Sequence, residues 1–200
     1  MDQPLTVDQR RDAFVGSLYA LHYAVTSGNP SRSGEARRTL ARLRRSFVGG
    51  RQEAEAYDVV FPHQPPESEQ KLWLLVAGLF ALHPQGNNAR HRSLGAAMRD
   101  MVAARPSAAR RFTQLLSVEP AALPHYLRQA IQLLRAGEIA IDYRLLLTHL
   151  VDMQVSAEAA HKVRLRWAQD YHRPKYPPKA DRKTPAEPAP ASDTPAPVDA

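Results

Sequence analysis

Arginine is the residue whose number and spacing could do chemistry in this chain. Seven arginines stand between Arg32 and Arg51, with Glu35 the one carboxylate among them. On a helix turning about 100° per residue, Arg38, Arg42 and Arg45 gather within about 60° of one another, opposite Leu40, Leu43 and Phe47. Arg37 and Arg44 flank that face. Like charges one turn apart repel by a few tenths of a kcal/mol, and apart from Glu35 no acid four residues away relieves them. A guanidinium is a planar fork of N–H donors that matches two phosphate oxygens, so a polyanion would turn the repulsion into attraction. One basic helix face is ordinarily a solvated surface. Here the clustering recurs at Arg90, Arg92 and Arg99, at Arg110-Arg111, and at Lys162, Arg164 and Arg166. The candidate nucleic-acid-binding residues are therefore Arg38, Arg42, Arg44, Arg45, Arg110, Arg111, Arg164 and Arg166.

Catalytic patterns do not emerge. The chain has no GxxxxGK(S/T), GxSxG or HExxH pattern, and its eight histidines never fall as HxxxH. Glu138 and Asp142 are four apart, but a helix cap beside a solvated charge explains them better than an acid–base pair. With no cysteine there is no disulfide framework, thiolate zinc site or cysteine nucleophile. The expectation is a non-enzyme with no metal and no cofactor. Trp73 lies inside an apolar run, and Val163, Trp167 and Tyr171 form a stripe at helical spacing. Both read as core rather than as platforms on which bases stack. No recognition helix after a tight turn is evident, so binding directed at the phosphate backbone is the better fit.

The elements that must position these arginines are helical almost throughout. Phe14, Leu18, Leu21 and Val25 make one apolar stripe over 6–26, where Thr6 and Gln9 have the spacing of a capping box. Further helices are expected at about 34–47, 53–59, 67–82, 93–105, 107–116, from Pro120 to Gly137, 143–153 capped by Asp142, and 156–171. A brief strand signal covers Glu138–Ile141. The fold class is all-α: a bundle of about eight to nine helices, in two packed lobes over residues 1–105 and 106–173. Residues 174–200 hold eight of the seventeen prolines. That composition cannot bury enough apolar surface to offset ordering entropy, so a disordered Pro/Ala-rich tail is expected.

The formal net charge is +7. From Pro174 on, four basic residues balance four acidic ones, so residues 1–173 carry the whole surplus. The field of such a body attracts nucleic acid, acidic membranes or acidic proteins. The longest apolar run, Leu72–Leu82, is far short of the roughly 20 residues that span a bilayer, so no membrane partner is expected. The first residues lack the order of a signal peptide, and a reducing cytoplasm suits a chain without cysteine.

Four segments carry a resemblance to a known family: Ala41–Ser46 (ARLRRS), Ala109–Leu116 (ARRFTQLL), Leu134 through Ile141-Asp142-Tyr143 to Leu147, and Val163–Tyr171 (VRLRWAQDY). In order and spacing, over about residues 10–172, they resemble CasB, the small subunit of the type I-E CRISPR Cascade complex. The resemblance implies an all-helical, non-nuclease protein present as two copies in a crRNA-guided surveillance complex. It would contact the other crRNA-containing Cascade subunits and a second copy of itself, and would help hold target DNA and the displaced single strand in the R-loop. It also implies that Arg42, Arg44 and Arg45 belong to a nucleic-acid-facing cluster, with Arg110 and Arg111 as a second basic pair. Gly34–Thr39 departs from the pattern, with extra residues before the LRR string. The alternative reading of the residues is a helical scaffold or regulator that binds nucleic acid or acidic proteins outside a CRISPR complex.

Overall fold

The computed structural model describes residues 5–48 and 50–174; the expected disordered tail from 175 on lies outside them. The described residues are helical and contain no strand. Helix α1 (Val7–Thr26) starts at a complete capping box, in which the Thr6 hydroxyl accepts from the Gln9 N–H and the Gln9 side chain accepts from the Thr6 N–H. Helix α2 (Pro30–Arg45) begins four residues before the expected Gly34. Asn29 caps it by accepting from the Arg32 N–H at 3.1 Å. Pro30 then occupies the first helical position, where a missing N–H costs nothing. The helix expected at 53–59 is instead two single turns, α3 (Gly50–Glu53) and α4 (Tyr57–Val60), joined by a 3₁₀ turn at Ala54–Ala56.

The remaining helices are α5 (Gln70–Leu82), α6 (Leu94–Ala104), α7 (Ala108–Ser117), α8 (Leu123–Ala136), α9 (Tyr143–Val155) and α10 (Ala157–His172). Side-chain oxygens of Ser93, Asp142 and Ser156 cap α6, α9 and α10, each worth about 1 kcal/mol. The expected strand at Glu138–Ile141 is an irregular loop. Its backbone at Ile141 pairs with the buried Gln85 amide, which donates to the Ile141 carbonyl at 2.5 Å and accepts from its N–H at 3.1 Å. One side-chain amide thus does what a neighbouring strand would.

Helix α5 is the centre of the bundle, packed against α2, α8 and α9, while α10 lies across α6 and α9. One cluster of buried apolar residues runs from Phe14 to Trp167 through both expected lobes. Phe14 stacks on Trp73, and Tyr19, Phe80 and Tyr143 meet edge to face. Trp73 and Trp167 are fully buried, as the apolar spacing predicts. Polar groups inside are satisfied in small networks. Glu69, only 6% exposed, accepts from Arg11 Nε at 2.9 Å and from the Trp73 indole at 3.0 Å. Burial alone would raise the Glu69 carboxyl, but these two donors outweigh it and hold the group below its ordinary range.

Candidate nucleic-acid interface

The inner face of α2 is set by Ser33, Ala36, Leu40 and Leu43, all buried against α1 and α5. That packing turns Arg37, Arg38, Arg44 and Arg45 outward and leaves Arg42 half-buried. Arg37 and Arg38 form no ion pair among the described residues, and Arg44 donates only to the Leu40 carbonyl of its own helix, at 3.2 Å.

Arg42 and Arg45 are not uncompensated, contrary to the reading from α2 alone. Arg42 Nη2 donates to Asp58 Oδ2 at 2.5 Å. Arg45 grips Glu55 with Nη2 and Nε, at 2.7 and 3.1 Å to the same oxygen. The carboxylates arrive from the 54–60 segment, which folds back beside α2, rather than from one turn along the helix. Both pairs are solvent-accessible, with the Asp58 side chain 74% exposed. Such pairs contribute roughly 0.2–1 kcal/mol and weaken with salt.

On α7, Ala108, Phe112 and Leu115 are buried, which turns Arg110 and Arg111 into solvent. Neither forms an ion pair among the described residues. Arg164 is corrected in the other direction. It is drawn inward, donating from Nη2 to the Val118 carbonyl at 2.7 Å, with its Nε buried. It ties α10 to the α7–α8 connection. Arg166, two residues on, lies on a different face of α10 and is exposed. Arg105 and Arg135 are also exposed without an ion pair among the described residues, and sequence reasoning did not single them out because neither belongs to a run.

Other arginines are structural. Arg11 serves Glu69, Arg92 and Arg99 both reach Asp100, and Arg144 bonds Asp12 and Thr148. Arg99 also binds the carbonyls of Asp170 and Arg173 at the end of α10. The cationic side chains therefore divide into struts, exposed ion pairs and exposed free groups. Among the described residues the free ones include Arg37, Arg38 and Arg44 on α2, Arg110 and Arg111 on α7 and Arg166 on α10, with Arg90, Arg105 and Arg135 standing singly elsewhere. Helix α2 packs on α1 and α5, whereas α7 packs on α6 and α8, so the two main clusters occupy different parts of the bundle. No group of three or more His, Asp or Glu side chains is placed to hold a metal ion among the described residues. No described helix is long and apolar enough to cross a membrane.

The family description CRISPR-associated protein Cse2 matches residues 39–172, beginning at the last residue of the Gly34–Thr39 stretch that departs from the pattern. Among solved structures the chain is similar to CasB from Thermobifida fusca, with 25% identity and a TM-score of 0.61, covering 80% of this chain and 98% of that one. It is similar to a Cse2-family CRISPR-associated protein from Thermus thermophilus, with 28% identity and a TM-score of 0.62, covering 80% and 96%. It also shares its fold with a chain of a CRISPR RNA-guided surveillance complex, at 22% identity and a TM-score of 0.62, covering 84% and 93%. No curated protein sequence matches. With two thirds of its length inside one family description, and its helices in that family's arrangement, this chain belongs to the CRISPR-associated Cse2 family.

Proposed function

We propose that this chain is the non-catalytic small subunit of a crRNA-guided type I-E surveillance complex in the cytoplasm, and that it holds target and displaced DNA strands by their phosphates. Family membership and the fold shared with a chain of a CRISPR RNA-guided surveillance complex support the assembly. The observation that carries the chemistry is the set of outward guanidinium groups that form no ion pair among the described residues: Arg38 and Arg44 on α2, Arg110 and Arg111 on α7, and Arg166 on α10. R-loop formation exchanges one duplex for another of similar stability, so a modest backbone contribution decides whether it persists. A surface that neutralises phosphates without reading bases makes that contribution for any target sequence. Arg42 and Arg45 join it by exchanging an exposed carboxylate for a phosphate. Arg164 is left out of this set, because its guanidinium is drawn inward to the Val118 carbonyl with its Nε buried.

Co-expression with a guide RNA, the other subunits and a second, differently tagged copy of this chain tests the assembly. The chain should co-purify in a ribonucleoprotein containing both copies; a chain that elutes alone contradicts the proposal. A scaffold that binds acidic proteins is favoured by one observation only, that Arg42 and Arg45 already carry carboxylates. That reading requires DNA retention to be indifferent to loss of Arg38 and Arg44.

A further inference from the structure

Six large apolar side chains are exposed among the described residues, and two of them, Tyr57 and Phe61, touch each other. They lie four residues apart across α4 and the turn after it, with ring centroids 5.0 Å apart and planes at 61°. They are 38% and 37% exposed. Of the other four, Tyr23 is anchored by its hydroxyl, which accepts from the Asn87 N–H at 2.9 Å, and Leu5, Val155 and Leu165 are aliphatic. Scattered apolar side chains of that kind are ordinary on a protein exterior. A contacting aromatic pair left in water is less ordinary, since such rings gain most when their faces are covered.

The surroundings of this pair say what would cover it. Asp58, next to Tyr57 in the chain, holds Arg42, and Glu55, two residues before it, holds Arg45. Two guanidinium–carboxylate pairs therefore tie the short segment that carries Tyr57 to α2, and Arg38 and Arg44 lie on the same helix as the paired arginines. A surface for single-stranded nucleic acid combines aromatic faces with cations that follow the backbone, and α2 supplies these as the exposed, ion-pair-free Arg38 and as Arg42 and Arg45, whose solvent-accessible carboxylates a phosphate can replace. Bases in a duplex are already stacked on one another and cannot reach exposed rings. Unpaired bases can.

Building on the phosphate-binding reading above, we infer that Tyr57 and Phe61 form a stacking platform for unpaired bases of a single DNA strand, whose phosphates lie along the arginines of α2. Stacking does not depend on base identity, because every base has a π-face. The platform therefore confers preference for single strand over duplex without sequence preference.

The test compares the full chain with its Tyr57→Ala/Phe61→Ala variant, by fluorescence anisotropy, on an oligothymidylate and on an abasic oligonucleotide of equal length. Removing the rings should weaken oligothymidylate binding by roughly fivefold or more per ring and leave the abasic probe unchanged. Tyr57→Trp/Phe61→Trp should keep or raise affinity for the oligothymidylate. Equal loss on both probes, or no loss on either, overturns the platform. Loss of partner-subunit capture with DNA binding intact also overturns it and makes the pair a protein contact. The Arg38→Ala/Arg44→Ala variant separates the two levels of the argument. If it weakens both probes while ring removal changes neither, only the platform fails; if it changes neither probe, the phosphate-binding reading fails as well.

Discussion

Two glycines inside helices should respond to the same substitution with opposite sign. Gly16 lies within α1, and a Cβ built there meets nothing within 4 Å. Gly16→Ala removes the entropic penalty of a helical glycine and should stabilise the chain by about 0.5–1 kcal/mol. Gly95 sits in the first turn of α6, where a Cβ would overlap the Trp167 carbonyl oxygen and lie 2.7 Å from its carbon. Those atoms are backbone of α10 and cannot rotate away, so the two helices must separate. Overpacking of this kind costs about 1–3 kcal/mol, sometimes more, which exceeds the propensity gain. Gly95→Ala should therefore be destabilised by at least about 1 kcal/mol. For a chain of this size that lowers the melting temperature by about 2–4 °C per kcal/mol, whereas Gly16→Ala raises it. Thermal unfolding followed by circular dichroism reads both. A Gly95→Ala protein as stable as the parent would refute the close approach of α6 and α10, on which the placement of Arg166 depends.

The buried Arg11–Glu69 pair should be costly to break from one side: Arg11→Met leaves an unpaired carboxylate and should destabilise by about 3 kcal/mol in urea titrations. In the parent chain, Glu69 is held below its ordinary 4.5, so its stabilising contribution is complete above that pH and is lost as pH falls further. In Arg11→Met burial dominates, and acid unfolding should begin at a higher pH; an unchanged acid limb would argue against the pair. His149 is pushed below 6.5 by burial and then by Arg166, against opposing pulls from Asp152, Asp170 and Asp142. Its Nδ1 accepts the Trp167 indole N–H at 2.9 Å, which protonation there would disrupt. Its contribution is full above about 6.5 and falls as pH drops toward the folded-state value. His149→Gln should flatten part of the stability loss between neutral and mildly acid pH, and an equally steep loss would discount the residue. Asp58→Asn with Glu55→Gln frees Arg42 and Arg45 and should raise oligonucleotide affinity severalfold at low salt; no gain would mean those arginines face no strand.

Most of the helical framework is legible in the residues because its signals are local. Capping oxygens at Thr6 and Asp142 and the apolar stripes of α1 and α10 act within a few positions. The errors arise where a local signal has two meanings. A proline inside a helix breaks it, yet Pro30 at the first helical position begins α2, four residues before the expected start. Glu138–Ile141 has the composition of a strand, but its backbone partner is the side chain of Gln85, 56 residues away. The interface was legible only by type. Counting arginines finds the clusters, and wheel geometry correctly turns Arg38 out and Leu40 in. It does not reveal that Asp58 and Glu55 return 16 and 10 residues later to pair with Arg42 and Arg45. Nor does it show that Arg164 faces Val118. Tyr57 and Phe61 escaped notice for the same reason, since a short amphipathic turn does not say which side finds a partner.

Exposed guanidinium groups on α2 and α7 should neutralise phosphates regardless of sequence. The most direct test of this is the dependence of DNA affinity on salt for the parent, for Arg38→Ala/Arg44→Ala and for Arg110→Ala/Arg111→Ala, each on unrelated sequences. Each lost phosphate contact should flatten the slope of log K against log salt by about 0.7–0.9, to the same extent for every sequence. Slopes identical to the parent in both variants, or losses confined to particular sequences, would contradict it.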